Sequence, residues 1–232
     1  MTLGPTVENW TPRESVRRHV MQGRLVRMEP LDVAKHGPAM FEQFRDLDPD
    51  GAVWTYMPDG PFPDWEGFRA AFQAKANSQD PMFFAIVDIE NGEARGVASY
   101  LRDDPANGVV EVGWIAFSPK LQRTPQATEA MYLMMRHVFD DLGYRRYEWK
   151  CNNGNAASKR AAIRLGMTPE GVFRQAVVVK GRNRDTAWFS ILDHEWPAQK
   201  ARFETWLSPS NFDETGHQIR CLEESGRSAD EA

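Results

Sequence analysis

Residues 113–130 read Gly113-Trp-Ile-Ala-Phe-Ser-Pro-Lys-Leu-Gln-Arg-Thr-Pro-Gln-Ala-Thr-Glu-Ala130 and carry a strand straight into a helix. Thr124 suits an N-cap and Pro125 suits the first helical position, where the missing N–H has no partner to lose. From there Ala127, Met131, Met134, Met135, Val138 and Leu142 fall on one helical face, which predicts a helix over about 125–142 with a core stripe. Its first N–H groups lack intrahelical acceptors and the helix dipole is positive there, a place that attracts phosphate. On this reading the N–H groups of Gln126, Ala127 and Thr128 face an anion, with Arg123 adding charge. Taken alone, Thr-Pro also reads as nothing more than a helix start.

Upstream, Arg24–Leu31 alternates as a first strand, and helical spacing over 33–46 and 64–76 follows. Met82–Asp88, Ala94–Leu101 and Val109–Phe117 are rich in β-branched and aromatic residues and are separated by turn residues, as in an antiparallel meander. Downstream come a strand at 145–151, a helix at 155–165 and a hairpin around Lys180-Gly-Arg-Asn183. Antiparallel strands followed by strand–helix–strand units predict a mixed α/β domain, an α+β mixed sheet. The core is expected over residues 23–206, with an N-terminal extension at 1–22. An acidic tail at 207–232, poor in apolar residues toward its end, is expected to be disordered.

The 232 residues are 41% hydrophobic and 26% charged, with a net charge of −5, which argues against a nucleic-acid partner. Two cysteines and five histidines show neither a disulfide framework nor metal-ligand spacing, so no metal is expected. With no apolar stretch of membrane-spanning length and no charged leader before an apolar run, the chain reads as soluble and cytoplasmic, with no membrane partner.

A second stretch, Cys151-Asn-Asn-Gly-Asn-Ala-Ala-Ser-Lys-Arg-Ala-Ala-Ile-Arg-Leu-Gly-Met167, ends a strand, turns and opens a helix that stops at Gly166. Asn155 and Gly166 are ordinary cap residues taken singly. In order and spacing, however, the two stretches together resemble the GNAT superfamily of N-acetyltransferases. The first is similar to its pyrophosphate loop, Gln/Arg-x-x-Gly-x-Gly/Ala, with Gln122 first, Pro125 in the glycine place and Ala127 last. The second is similar to its strand–Asn-x-x-Ser/Ala–helix–Leu-Gly-Phe stretch. A tyrosine that in many members protonates the leaving thiolate is replaced by Ala162. Asn155-x-x-Ser158, with Arg164-Leu-Gly-Met and Pro169-Glu-Gly-Val-Phe-Arg174, resembles most the ribosomal-protein N-terminal acetyltransferase (RimJ/RimL-like) branch.

The resemblance implies a GNAT fold of about seven mostly antiparallel strands and about four helices around a central strand–helix–strand coenzyme unit. It implies acetyl-CoA as co-substrate and a small-molecule or peptide amine as acceptor, with direct transfer in a ternary complex. Coenzyme contacts would come from Ile115, Ala116 and Phe117 of a splayed strand, and from Gln122, Arg123, Thr124, Gln126, Ala127 and Thr128. Asn155, Ser158, Arg160 and Arg164 complete that set, Ser158 lying beside the coenzyme sulfur. The loop Trp54–Trp65 matches the family's acceptor-side loop, giving Trp54, Tyr56, Asp59 and Trp65 as substrate contacts, although its large apolar side chains read equally as a satellite core. The exposed hairpin and C-terminal extension permit a homodimer.

A lysine-like amine with a pKa of about 10.4 is neutral at pH 7 at a penalty of roughly 4.6 kcal/mol, against about 1 kcal/mol for an α-amine. A base therefore serves the reaction. Glu111, expected on one strand face with Gly113 and Ile115, and Glu170, just after the second helix, are the candidates; each reads equally as an ion-paired carboxylate. A competing reading, prompted by Pro125 and Ala162, is a GNAT-fold acyl-CoA sensor without turnover. Nucleotide-binding folds built on Gly-x-Gly-x-x-Gly or Gly-x-x-x-x-Gly-Lys-Ser/Thr are excluded by the absence of both patterns.

Overall fold

The computed structural model describes residues 3–225. One sheet of eight strands runs in the order β1 (Met21–Gln22), β2 (Val26–Pro30), β3 (Met82–Asp88), β4 (Ala94–Asp104), β5 (Val109–Phe117), β6 (Arg146–Asn152), β8 (Arg182–Leu192), β7 (Thr168–Val179). All neighbours are antiparallel except β5 and β6, which are joined by α3 (Pro125–Arg136). Parallel strands require such a crossover. Among the described residues there are one strand and one helix more than the sequence predicts: β1 and α5 (Trp196–Leu207).

Both faces of the sheet are covered, as β3 shows. Its Phe84 and Ile86 pack with Met131, Met134 and Met135 of α3, while Phe83, Ala85 and Val87 pack with α1 (Val33–Leu47) and α2 (Trp65–Asn77). That is period-2 alternation with both sides buried. The predicted long helix is α-helical only to Arg136 and continues as a π-helical turn over His137–Asp141. Val138 stays buried within that turn.

The two terminal segments are more ordered than the sequence suggests. Val16 is buried, Trp10 Nε1 donates to the Ala106 carbonyl and Arg13 Nε to that of Gly143. The expected disordered tail is corrected as far as Ser225: Leu222 is fully buried, Trp206 Nε1 donates to Gln218 Oε1 at 3.0 Å, and Asn211 bonds the Trp206 and Arg220 carbonyls. A single leucine and an amide ladder supply what the acidic composition conceals. The remainder of that expectation, 226–232, lies outside the described residues.

The buried carboxylate of Glu129 on α3 ties the coenzyme-side helix to the start of the sheet. It accepts the backbone N–H groups of Arg24, Leu25 and Val26 at 2.6–3.0 Å. Glu129→Ala leaves the buried Val26 donor and the part-buried donors of Arg24 and Leu25 without their acceptor, and urea unfolding is expected to show a loss of about 2 kcal/mol, with Glu129→Gln losing less.

Candidate active site

The ladder between β5 and β6 stops at Val112 opposite Trp149, although β5 continues to Phe117 and β6 to Asn152. The strands therefore part from Gly113 onward. What turns β5 away is one extra residue: Ser99 pairs with Gly113 but Val97 with Ala116, and Trp114 absorbs the difference with a φ of 50°. This bulge also flips the alternation. Val110 and Val112 face the α3 side and, beyond the bulge, so do Ile115 and Phe117, whereas Trp114 and Ala116 face α1 and α2. Glu111 and Ile115 consequently do not share a face, a correction to the unbroken alternation read from sequence. Ile115 lines the opening; the Ala116 side chain is core, and the Phe117 carbonyl is taken by Gln122 Nε2 at 2.9 Å.

A cavity of about 490 Å³ passes through the gap and joins the two faces of the sheet. On the α3 side stand Trp149 and Cys151 of β6 and Ser158 of α4 (Ala156–Arg164). On the other face stand Glu111, Lys150 and, from β8, Arg184, Thr186 and Trp188. The assignment follows from register: Trp188 pairs with Lys150 and Thr186 with Asn152, and directly opposed residues share a face.

The loop before α3 is built to receive an anion. Thr124 caps the helix, accepting from Ala127 N–H at 3.2 Å and donating its hydroxyl to the Leu121 carbonyl at 2.6 Å. The Thr128 N–H reaches the Thr124 carbonyl. Two of the three helix donors expected to face phosphate are therefore occupied. Among the described residues the backbone N–H groups of Arg123, Thr124 and Gln126 have no acceptor, and Arg123 is exposed with a left-handed φ of 62°. A diphosphate fits this set: three open donors, a positive helix end and a guanidinium. Pro125 withdraws no donor that an α-helix would have used.

Asn155 caps α4 as expected, its Oδ1 accepting from Ser158 N–H at 3.0 Å. Ser158 Oγ accepts from Trp149 Nε1 at 3.0 Å. Since an indole nitrogen only donates, the Ser158 proton must point elsewhere; the Cys151 thiol lines the same cavity. Burial pushes that thiol up, with Ser158 opposing. Ala162 is fully buried under the sheet, so a tyrosine there would meet core rather than solvent. Arg160 is exposed, whereas Arg164 donates to Thr128 Oγ1 and lies over the Trp206 ring. Arg164 thus braces the C-terminal segment against the start of α3.

Of the two carboxylates, only Glu111 lines the cavity. A Cβ added at Gly113 would lie 3.5 Å from Glu111 Oε1, which puts the carboxylate against the strand where the gap begins. Burial raises its pKa, opposed by Lys150 Nζ at 2.8 Å. Glu170 is corrected: Arg146 holds both its oxygens, Ser190 Oγ donates to it at 2.8 Å, and the guanidinium keeps its carboxyl below the ordinary range.

The acceptor loop divides likewise. Tyr56 lines the cavity and donates to the Gly154 carbonyl at 3.0 Å. Trp54 is buried among Phe44, Phe62 and Phe72, Trp65 packs on Phe41 and Phe68, and Asp59 is ion-paired with Lys75. The two tryptophans belong to a satellite core. Lys180, at the tip of the β7–β8 hairpin, donates to the carbonyls of Trp54, Asp59 and Gly60 and fixes the loop against the hairpin. Sequence reading missed Trp149, Lys150, Thr186 and Trp188. The alternation of polar Arg184, Thr186 and Trp188 with buried Ala187 and Phe189 on β8 is the signal that exposes them.

No group of His, Cys, Asp and Glu suited to a metal occurs among the described residues, and no helix there is long and apolar enough to cross a membrane. Residues 26–168 match the model of the acetyltransferase (GNAT) domain. The crystal structure of a GCN5-related N-acetyltransferase from Brucella melitensis is 47% identical, covers 95% of this chain and 99% of its own, and superposes with a TM-score of 0.92. The uncharacterised N-acetyltransferase YnaD of Bacillus subtilis is 25% identical over 63% of this chain and 84% of its own. YdaF of the same organism, provisionally described as a ribosomal N-acetyltransferase, is 28% identical over 47% of this chain and 60% of its own, in keeping with the RimJ/RimL-like resemblance. The matched domain and the close structural likeness together show that the chain is an acetyl-CoA-dependent N-acetyltransferase and belongs to the GNAT family.

Proposed function

We propose that this enzyme moves the acetyl group of acetyl-CoA onto a primary amine, of a protein N-terminus or a small molecule, by direct attack in a ternary complex. The observation that carries this reading is the cavity through the β5–β6 gap, with Glu111 on one face and Ser158 on the other. The coenzyme approaches along the α3 face, its diphosphate on the open N–H groups of Arg123, Thr124 and Gln126, with Arg160 free to meet a further phosphate. The amine approaches from the face of Tyr56 and the hairpin.

The reaction then needs no covalent intermediate. The amine, having given a proton to Glu111, attacks the thioester carbon, and the carbonyl oxygen takes up charge beside backbone groups of the parted strand. The C–S bond breaks as the C–N bond is completed. The departing thiolate takes the hydroxyl proton of Ser158, whose other side is occupied by Trp149 Nε1, and the second proton of the attacking nitrogen, released as the amide forms, returns through solvent to restore that hydroxyl. The carboxylate is no weaker a base for being buried: desolvation raises its pKa toward working pH, where general bases are most effective.

The test follows free-thiol release from acetyl-CoA against a panel of amines and short peptides. Release with at least one acceptor is expected; tight acetyl-CoA binding with none would sink the catalytic reading. Because the proton-accepting form of Glu111 is lost as pH falls through its raised pKa, the kcat/KM profile should fall on the acid side at higher pH than for an exposed glutamate. Glu111→Gln should abolish that limb and lower the rate on the order of 10²-fold. Ser158→Ala should lower kcat by about 10²-fold with the KM for acetyl-CoA little changed, and unchanged turnover would remove its role. Gln126→Pro, tolerated in a first helical turn, should raise the acetyl-CoA KM about tenfold by deleting one cradle donor.

A further inference from the structure

Three side chains of β8 line the amine-side wall of the cavity and are left incomplete. Thr186 is 5% exposed and its Oγ1 has no hydrogen-bond partner among the described residues; the same holds for Arg184 Nε and Trp188 Nε1. All three sit two residues apart on one strand face, so they form a row. Each can donate, and the arginine and the indole can do nothing else. Buried donors without acceptors are costly, and native structures keep few of them.

Charge singles out the same wall. Of the cations lining the cavity, Lys150 is shared between Glu111 and Glu148 at 2.8 and 2.7 Å, and Arg102 lies 3.5 Å from Glu111. Arg184 has no carboxylate within 4.0 Å among the described residues. Asp185, its neighbour in sequence, is taken by Gln175 N–H and Asn183 Nδ2. The cavity therefore offers one carboxylate, Glu111, near the gap, and one uncompensated guanidinium, Arg184, farther along the wall.

We infer that the acceptor is an amine bearing a carboxylate, which docks on Arg184 with Thr186 and Trp188 completing the site, while its nitrogen is directed toward Glu111. This rests on the acetyl-transfer reading for what happens to the nitrogen, but not for the carboxylate site itself. The chemistry is shared by a free amino acid, through its α-carboxylate, and by a peptide N-terminus followed closely by an acidic residue. A cationic acceptor such as a polyamine is disfavoured, since it would leave the donor row unmet and place charge beside Arg184.

The experiment uses acceptors matched but for carboxylate against amide, with rates compared per neutral amine: glycine against glycinamide, and tripeptides beginning Ser-Asp against Ser-Asn. Initial rates of thiol release give kcat/KM for each, and calorimetry with coenzyme A present gives binding without turnover. The carboxylate member of at least one pair is expected to be favoured tenfold or more, chiefly through KM, and the favoured pair identifies the source as free amino acid or peptide. Arg184→Gln should erase that preference and Arg184→Glu should reverse it, with the KM for acetyl-CoA unchanged in both. Turnover with equal preference within both pairs, or a preference that survives in Arg184→Gln, overturns the inference and leaves acetyl transfer standing. Carboxylate-selective binding that Arg184→Gln abolishes, without thiol release from any acceptor, would support the site and overturn the transfer reading instead.

Discussion

One extra residue in β5 governs the active site. A strand paired on both sides offers its backbone to no ligand, and β5 is so paired up to Val112. The bulge at Trp114 keeps β4 in register with β5 while turning β5 away from β6, so the sheet opens without losing its antiparallel half. Because α3 must leave from the far end of this same strand, the bulge also sets where the helix N-terminus and its open N–H groups lie relative to the gap. The cradle for a diphosphate and the opening for a thioester are thus two results of a single backbone distortion. Glu129, holding α3 to the turn before β2, keeps that relation rigid.

The gap divides the chemistry between two faces. Ser158 can offer a proton only on the α3 side, since Trp149 fills one of its lone pairs. Glu111 can accept one only on the other side, since it precedes the bulge and the alternation flips after it. In the proposed mechanism, base and acid are thereby kept apart by the thickness of a sheet. Lys150, buried between Glu111 and Glu148 and 3.7 Å above the Trp188 ring, holds the carboxylate in place. A buried ion pair of this kind contributes position more than stability, because desolvation offsets much of its attraction.

What the sequence made legible was whatever depends on local pattern. The α3 stripe, the caps at Thr124 and Asn155 and the apolar run of β3 are readable from a few neighbouring residues, and the structure has them where the pattern puts them. What failed depended on a single long-range event. Nothing in Val109–Phe117 announces a bulge at Trp114, a residue that rarely adopts positive φ, so Ile115 was expected on the wrong face. Nor can a sequence say which glutamate an arginine will capture: Glu170 lost its candidacy to Arg146, 24 positions away. Trp54 and Trp65 were read as pocket or core with equal right, and only the aromatic cluster around Phe68 decides for core.

The acceptor wall follows a different logic from the coenzyme side. The proposed coenzyme contacts rest on backbone N–H groups and caps, which tolerate many side chains; Pro125 takes one N–H out of that cradle and leaves those of Arg123, Thr124 and Gln126 open. The acceptor wall rests on side chains of β8 and on a loop that Lys180 clamps through three backbone carbonyls. That clamp reads no side chain of the loop. Residues such as Tyr56 and Met57 can therefore vary while hairpin and loop remain joined, and the row on β8 can change without disturbing the gap. A fold that fixes its coenzyme through the backbone and its acceptor through side chains can alter the second without altering the first, and Arg184 lies on the side free to change.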